Sequence, residues 1–248
     1  MSTIYIMWLR ELKRYFRSKS RIVGSLGQPL LFLLALGYGL GSVFQKAGQG
    51  SYVNFLVPGI LGMSIIFTSI FSGIQIIWDR QFGFLKETMV APVSRFNIMI
   101  GRTLGGATIA AFQGIIVFLI ALIPGFRPFN WFLILPAILI MLLIGLLFAA
   151  VGTALAARLE DMQGFPLIMN FLVMPLFFLS GALFPLNNLP KAITVITRLD
   201  PLTYGVDALR ALLINSSHFG LGLDILVLSA TTIFFLLIGS YLFSKIQI

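Results

Sequence analysis

Long stretches without a charged residue are the feature that most constrains the fold of this chain. Six such windows contain between 20 and 32 residues each. They lie between Arg21 and Lys46, Lys46 and Asp79, Arg102 and Arg127, Arg127 and Arg158, Asp161 and Lys191, and Asp224 and Lys245. Because a helix needs roughly 20 apolar residues to cross a bilayer, the chain is predicted to cross the membrane six times.

The composition excludes an ordinary water-soluble domain. Only 10% of the 248 residues are charged and 58% are hydrophobic, whereas about a quarter of the residues in a soluble domain are charged. The absence of cysteine excludes disulfides, thiolate metal sites and cysteine nucleophiles. We therefore expect an all-α polytopic membrane protein.

The positions of basic residues predict the orientation of the chain. The spans are placed at residues 22–44, 53–78, 97–123, 131–157, 165–184 and 221–243. Six spans put both termini on one side of the membrane. With cytoplasmic termini, 12 Lys and Arg residues lie inside and 5 lie outside, which is the bias found in membrane proteins. We expect a multi-pass protein with both termini in the cytoplasm.

Residues 1–21 form an amphipathic helix when plotted at about 100° per residue. The apolar face contains Ile4, Tyr5, Trp8, Leu12, Tyr15 and Phe16, and the opposite face contains Arg10, Lys13, Arg14 and Arg17. Such a helix lies in the membrane interface, with its rings at the acyl boundary and its bases at the anionic head groups. The alternative is a basic flank that only orients the first span, and the two interpretations are compatible.

Residues that could carry enzyme chemistry are scarce. The chain contains no G-x-x-x-x-G-K-[ST] phosphate-binding loop and only one histidine, His218. The charge-free spans also disfavour a proton-coupled pump, which needs ionisable groups inside the membrane. Arg102 lies about one turn inside the third span, and its side chain is predicted to extend to the cytoplasm. We expect no catalytic residues, no metal, no cofactor bound by this chain and no nucleic-acid partner.

Two G-x-x-x-G motifs occur in predicted spans, one at Gly37 and Gly41 and the other at Gly101 and Gly105. Small residues at this spacing let two helices pack closely, so either motif could form a contact between subunits. Because the chain contains 24 glycines, chance spacing is the alternative.

The connection between the second and third spans, residues 79–95, mixes charges of both signs with apolar side chains. Pro92 ends any helix that begins after Gly83. A short helix with one apolar side is suited to insert into a groove of a soluble partner. An ordinary interfacial loop is the alternative.

Three motifs, in order along the chain, resemble those of the ABC-2 type exporter permeases. Residues 79–95 resemble the pattern acidic-Arg-x-x-Gly-x-x-x-Glu-x-x-x-x-Pro-Val-Ser-Arg. Residues 178–185 (FLSGALFP), followed by Leu189-Pro190, and residues 200–210 (DPLTYGVDALR) resemble the C-terminal signature. The resemblance covers essentially the whole chain. Asp79 departs from the pattern because Glu is more frequent there, but a carboxylate is retained.

The resemblance implies a transmembrane subunit that forms a homodimer and binds two copies of a separate ABC ATPase, which would hold ATP and magnesium. Residues 79–95 would be the coupling helix seated in the ATPase, and residues 1–21 would be the connecting helix. The residues assigned to ATPase coupling are Arg80, Gly83, Leu85, Glu87, Met89, Pro92 and Arg95.

Residues 185–220 resemble the extracellular re-entrant helical hairpin of that family. Two apolar stretches, residues 186–199 and 202–213, are too short to cross a membrane. Asp207 and Arg210 lie three residues apart and are predicted to pair. An interfacial loop is the alternative. The residues assigned to an outer gate are Gly181, Phe184, Pro185, Pro190, Asp200, Pro201, Asp207 and Arg210.

The substrate path is expected at the dimer interface, lined by the first, second and fifth spans. Phe171, Phe177 and Phe178 are assigned to it, although these rings could equally pack between helices or face lipid. Apolar walls with few charges favour export of an amphipathic drug or lipid across the plasma membrane. Export of a lipid-linked polysaccharide is the alternative within transport, and a membrane scaffold that moves no substrate is the alternative from another class.

Overall fold

The computed structural model describes residues 3–41, 51–85, 93–186 and 190–245, and the described chain is built from helices. In chain order they are α1 (Thr3–Arg17), α2 (Lys19–Gly39), α3 (Tyr52–Phe71), α4 (Ile74–Gln81), α5 (Arg95–Ala121), α6 (Ile134–Ala156), α7 (Gly164–Leu179), α8 (Lys191–Leu199), α9 (Pro201–Ile214) and α10 (Leu221–Ser244). A single 3₁₀ turn, Trp131–Leu133, precedes α6.

Five helical segments in the described chain are long and apolar enough to cross a membrane. They are Lys19–Gly39, Tyr52–Gln81, Arg95–Ala121, Trp131–Ala156 and Leu221–Ser244. α7 is also apolar but has 16 residues, which extend about 24 Å at 1.5 Å per residue. It ends before the predicted limit of the fifth span, residue 184, because the chain turns at Gly181 with a φ of 73°, a conformation that favours glycine.

The second predicted span is interrupted rather than continuous. α3 ends at Phe71 and α4 begins at Ile74. A Cβ atom on Gly73 would lie 2.4 Å from the carbonyl oxygen of Gly152, and one on Gly152 would lie 2.3 Å from the carbonyl oxygen of Ile70. The break therefore coincides with a backbone-to-backbone contact between this segment and α6, which only small residues permit.

In the core of the bundle, α3, α5 and α6 pack against one another, and α10 packs against α5 and α6. α9 is too short to cross a bilayer, yet it lies against α3, α6 and α10. α2 and α7 pack mainly on α3 or at its side and leave large apolar side chains exposed. These include Val23, Leu31, Leu34, Tyr38, Leu167 and Phe171. The outward apolar faces are those expected of a protein whose surroundings are lipid or another subunit.

α1 packs along α5 instead of lying free in the interface. The indole nitrogen of Trp8 donates to the hydroxyl of Thr108 at 3.0 Å, and the hydroxyl of Tyr15 donates to the amide oxygen of Gln113 at 2.7 Å. The ring of Tyr15 is buried, so its predicted place at the acyl boundary is wrong. The polar groups of α5 offer hydrogen bonds that lipid cannot supply. Phe16, in contrast, remains exposed.

The second G-x-x-x-G motif provides the surface on which α1 packs. A Cβ atom on Gly101 would lie 2.7 Å from the carbonyl oxygen of Ile4, and one on Gly105 would lie 2.6 Å from the Cβ atom of Glu11. The close contact made by this motif is therefore within the chain. Its interpretation as a contact between subunits is replaced by this intramolecular one.

Candidate functional site

Asp79 is the centre of a charged cluster at the end of the bundle predicted to face the cytoplasm. Its carboxylate accepts hydrogen bonds from Arg10 at 3.2 Å, from Arg14 at 3.3 Å and from Arg102. Asp79 is 3% exposed and Arg102 is 5% exposed. The side chains of Arg10 and Arg14 are each 31% exposed, so solvent weakens the repulsion among the three guanidinium groups.

This cluster, defined as Asp79, Arg10, Arg14 and Arg102, joins three helices through one carboxylate. Asp79 belongs to α4, the two partly exposed arginines belong to α1, and Arg102 belongs to α5. The prediction that Arg102 extends to the cytoplasm is wrong, because its guanidinium is held by Asp79 inside the protein. A buried ion pair of this kind is costly to break, since each partner alone would be a desolvated charge.

Two arginines near the ends of the predicted coupling segment, residues 79–95, bind neighbouring parts of the chain. Arg80 donates to the carboxylate of Glu160 and to the carbonyl oxygen of Ala157, both at 3.4 Å. Arg95 donates to the carbonyl oxygen of Ser244 at 2.6 Å. The segment therefore begins in contact with the α6–α7 connection and ends in contact with the last turn of α10.

The remaining coupling residues divide between described and undescribed parts of the chain. Gly83 has a φ of 80°, which ends the α4 helix with a turn that glycine favours. Leu85 is buried. Glu87, Met89 and Pro92 lie outside the described residues.

On the opposite end of the bundle, the turn after α7 is held by Arg210. The guanidinium donates to the carbonyl oxygen of Gly181 at 2.7 Å and to that of Ala182 at 3.3 Å. It also lies 3.9 Å from the centroid of the Phe55 ring, a cation–π distance. Burial lowers the pKa of Arg210 to about 10, so this group is protonated at neutral pH. One charged side chain thus connects α9, α3 and the α7 turn.

The predicted pairing of Asp207 with Arg210 does not occur as a direct contact. The carboxylate of Asp207 accepts from the backbone N–H groups of His218 and Phe219, both at 2.8 Å, and from the hydroxyl of Ser217 at 3.0 Å. Asp207 and Arg210 bind different segments. The connection before α10 folds over Asp207, and the α7 turn approaches Arg210.

Asp200 and Pro201 form the junction between α8 and α9. The Oδ1 atom of Asp200 accepts from the N–H of Leu202 at 2.8 Å, and Pro201 is the first residue of α9, so both occupy positions at which their residue types are favoured. Burial raises the pKa of Asp200 to about 8. Phe184 and Pro185 are partly buried, and Pro190 is exposed immediately before α8.

Three residues of α3 lie beside Arg210 or the turn after α7, and the sequence did not reveal them. Phe55 lies beneath Arg210, and Tyr52 donates to the carbonyl oxygen of Leu183 at 3.0 Å. A Cβ atom on Gly59 would lie 2.3 Å from the carbonyl oxygen of Ala182. They lie in a charge-free apolar window, where no local pattern distinguishes them from residues that face lipid.

The three phenylalanines assigned to a substrate path do not share one surface. Phe177 is buried, with its ring centroid 6.0 Å from that of Phe32. Phe171 is 82% exposed and Phe178 is 44% exposed. Of the three rings, only Phe171 and Phe178 are accessible to a ligand, a lipid or a second subunit.

The charged groups described above connect helices to one another. Within the described residues, no three His, Asp or Glu side chains are grouped closely enough to hold a metal ion. The arginines are donors to carboxylate and carbonyl oxygens that hold helices together. One group of contacts joins α1, α4 and α5 around Asp79, and another joins α9, α3 and the α7 turn around Arg210.

Comparison with known proteins identifies the family of this chain. The family model for the ABC-2 type transporter matches residues 2–214. Nodulation protein J of Rhizobium meliloti (strain 1021) is 31% identical, with 87% of this chain and 83% of the relative covered. The putative transport permease ycf38 of Cyanophora paradoxa is 31% identical, with 98% and 88% covered. The inner membrane transport permease YadH of Escherichia coli (strain K12) is 27% identical, with 82% and 80% covered. The chain belongs to the ABC-2 type transporter family.

Proposed function

We propose that this chain is the transmembrane permease subunit of an ABC exporter that is driven by a separate ATPase subunit. ABC-2 permeases work with ATP-binding subunits in a membrane, and two of the relatives are named as transport permeases. The observation that carries the proposal is the charged cluster around Asp79, because it connects the N-terminal helix, the start of the segment 79–95 and α5 at one point.

In this proposal the ATPase contacts α1 and the segment 79–95. When ATP closes the partner, movement of this segment passes through Asp79 to α5 and through Arg95 to α10. The partner binds ATP and magnesium, and this chain supplies no catalytic group. Two permease copies and two ATPase copies form the working unit in the plasma membrane, with the permease termini in the cytoplasm.

The substrate in this proposal is amphipathic, drug-like or lipid, and it passes between two permease copies. The exposed apolar faces of α2 and α7 support this path, because both helices lie beside α3 at the edge of the bundle. The accessible rings of Phe171 and Phe178 lie on α7. Apolar walls of this type suit molecules that already partition into the bilayer.

The test is ATP turnover of the permease co-purified with the ATPase encoded beside it, in lipid nanodiscs. Wild type is compared with Glu87→Arg, and Glu87→Asp is the matched control that retains the charge. Each is measured with a panel of drugs, lipids and lipid-linked glycans. We expect substrate-stimulated turnover in wild type and Glu87→Asp, and turnover that no longer responds to substrate in Glu87→Arg. Failure of the chain to bind any ATPase would contradict the proposal and favour a scaffold.

A further inference from the structure

A cavity of about 190 Å³ lies between α3 and the junction of α1 with α2. Six of its lining side chains are polar: Tyr15, Arg21, Ser25, Gln28, Ser64 and Thr68. The rest of its wall is apolar or glycine. Apart from the hydrogen bond of Tyr15 to Gln113, the contacts described above do not involve this amphipathic cavity.

Most of the polar groups in this cavity are not used by the fold. Tyr15 bonds to Gln113, and the hydroxyl of Ser25 bonds to the carbonyl oxygen of Ile22. Within the described part of the chain, the side chains of the other four polar lining residues form no hydrogen bond. Those residues are Arg21, Gln28, Ser64 and Thr68. Ser64 is buried, and the other three are partly exposed at the cavity. A polar group that lacks a partner in apolar surroundings is costly, so the convergence of these four side chains on one cavity points to a polar ligand.

The hydroxyl of Ser64 is the clearest example of an unpaired polar group in this cavity. Ser64 is 1% exposed, and its Oγ atom has no hydrogen-bond partner among the described residues. Neighbouring Ser69, on the same helix, is equally buried but donates to the carbonyl oxygen of Ile65 at 2.6 Å. A serine in a helix can therefore satisfy itself locally, whereas Ser64 is turned to the cavity.

Arg21 supplies the charge of the site. It is the third residue of α2, and Gln28 lies seven residues further along, about 10 Å deeper at 1.5 Å per residue. Arg21 forms no ion pair within the described residues, and the negative charge of Glu11 acts on it only from a longer distance. Arg21 also lines a second, more open groove of about 410 Å³, together with Arg14 and Trp78. A ligand could therefore reach Arg21 from the surface predicted to face the cytoplasm.

We propose that this cavity binds the phosphate-bearing head group of a lipid, with Arg21 contacting the phosphate and Gln28, Ser64 and Thr68 contacting its uncharged polar part. A volume of about 190 Å³ is below the roughly 300 Å³ of a site that encloses a drug-sized ligand. Only the head group fits, and the chains remain in the bilayer beside the exposed face of α2. The proposal deepens the proposed function, because it assigns an anionic lipid class to the permease.

Two pairs of variants test the site. Arg21→Gln removes the charge from the cavity, and Arg17→Gln removes a charge from an exposed position at the end of α1. Gly24→Leu places a bulky side chain at the wall of the cavity, since Gly24 lines it, and the backbone tolerates the change because nothing lies within 4 Å of a Cβ atom placed there. Gly27→Leu is the matched control on the same helix, because its Cβ position is equally open and it does not line the cavity.

The measurement is native mass spectrometry of the purified permease without ATPase, titrated with phosphatidylglycerol, a polyprenyl phosphate that carries one sugar, phosphatidylcholine and inorganic phosphate. We expect at least one of the two anionic lipids to bind wild type, Arg17→Gln and Gly27→Leu. Binding should weaken about tenfold or more in Arg21→Gln and Gly24→Leu, since tenfold corresponds to about 1.4 kcal/mol. Equal lipid binding by all five proteins, or equal binding of inorganic phosphate and lipid, would overturn the proposal. If Arg21→Gln does not fold, the difference in lipid binding between Gly24→Leu and Gly27→Leu tests the proposal.

The two lipid arms separate the possible sources of the head group. Selective binding of phosphatidylglycerol would identify a resident lipid of the bilayer, and selective binding of the polyprenyl phosphate would identify the anchor of a transported molecule. Because the binding assay contains no ATPase, loss of ATPase coupling contradicts only the proposed function. Intact coupling without cavity-dependent lipid binding contradicts only this proposal.

Discussion

The guanidinium of Arg210 lies 3.9 Å from the centroid of the Phe55 ring, and this contact connects α9 to α3 at the end of the bundle opposite Asp79. The same group donates to two carbonyl oxygens of the turn that follows α7. Three segments distant in sequence therefore meet at a single buried cation. Movement of any one of them requires the others to move or these bonds to break.

Replacing Arg210 by glutamine should destabilise the protein by about 1.5–3 kcal/mol, the range for hydrogen bonds made by charged groups. Arg127→Gln is the matched control, because Arg127 also donates to two backbone carbonyl oxygens but is exposed. Unfolding in a denaturant series, followed by circular dichroism, measures both. Equal losses for the two variants would show that burial of the Arg210 cation contributes nothing.

Gly59 is predicted to tolerate no side chain. A Cβ atom there would lie 2.3 Å from the carbonyl oxygen of Ala182, and backbone cannot move aside as a flexible side chain can. Gly59→Ala should lower the free energy of unfolding by about 1–3 kcal/mol, because the added methyl group overpacks this contact. Gly27→Ala should instead raise the free energy of unfolding by about 0.5–1 kcal/mol. Gly27 is in a helix with open space around it, and alanine is favoured over glycine there. The melting temperatures of the two variants should therefore move in opposite directions, and a shared direction would contradict the steric argument.

Asp79→Asn should be strongly destabilising, because it leaves the buried guanidinium of Arg102 beside two further arginines without a counter-charge. Breaking a buried pair costs about 3–5 kcal/mol. Glu160→Gln removes the carboxylate from the exposed pair with Arg80, and such pairs contribute about 0–1 kcal/mol. Chemical denaturation measures the free energy of unfolding of Asp79→Asn and of Glu160→Gln.

A second substitution distinguishes the pair from a general defect at Asp79. Adding Arg102→Met to Asp79→Asn removes the unpaired charge and should restore part of the lost stability. A double-mutant cycle measures this coupling. If the two losses simply add, the ion pair is not the reason for the cost.

Much of the fold was readable from the sequence because lipid imposes a simple rule on composition. The charge-free windows located five long helices and one shorter helix to within a few residues at most ends. The interruption at Gly73 could not be read, since it depends on the approach of Gly152, which lies on a different helix. Likewise, the position of α1 depends on hydrogen bonds to Thr108 and Gln113. In the sequence, nothing distinguishes these two polar residues as partners of α1.

The candidate sites were predicted in part, and the missing part is again long-range. The family motifs identified Gly181, Asp207 and Arg210 as neighbours in an outer site, but their spacing suggested an ion pair that does not form. Spacing along a helix shows which side chains can meet, whereas the actual partners came from the α7 turn and the connection before α10. Phe55 and the three arginines around Asp79 could be assigned only after the helices were packed.

The junction at Asp200 should make stability depend on pH. Burial raises the pKa of this carboxyl from 3.8 to about 8, so between these values the folded state holds a proton that the unfolded state has lost. Stability therefore falls as pH rises through this range and levels off above about pH 8. Asp200→Asn keeps a residue that caps helices equally well and removes the titration. Its melting temperature should exceed that of wild type increasingly as the pH is raised from about 5 to 8.

Asp161→Asn, at an exposed aspartate that also accepts backbone N–H groups, should retain the wild-type pH dependence. Parallel curves for wild type and Asp200→Asn would contradict the assignment of a buried, protonated carboxyl to this junction.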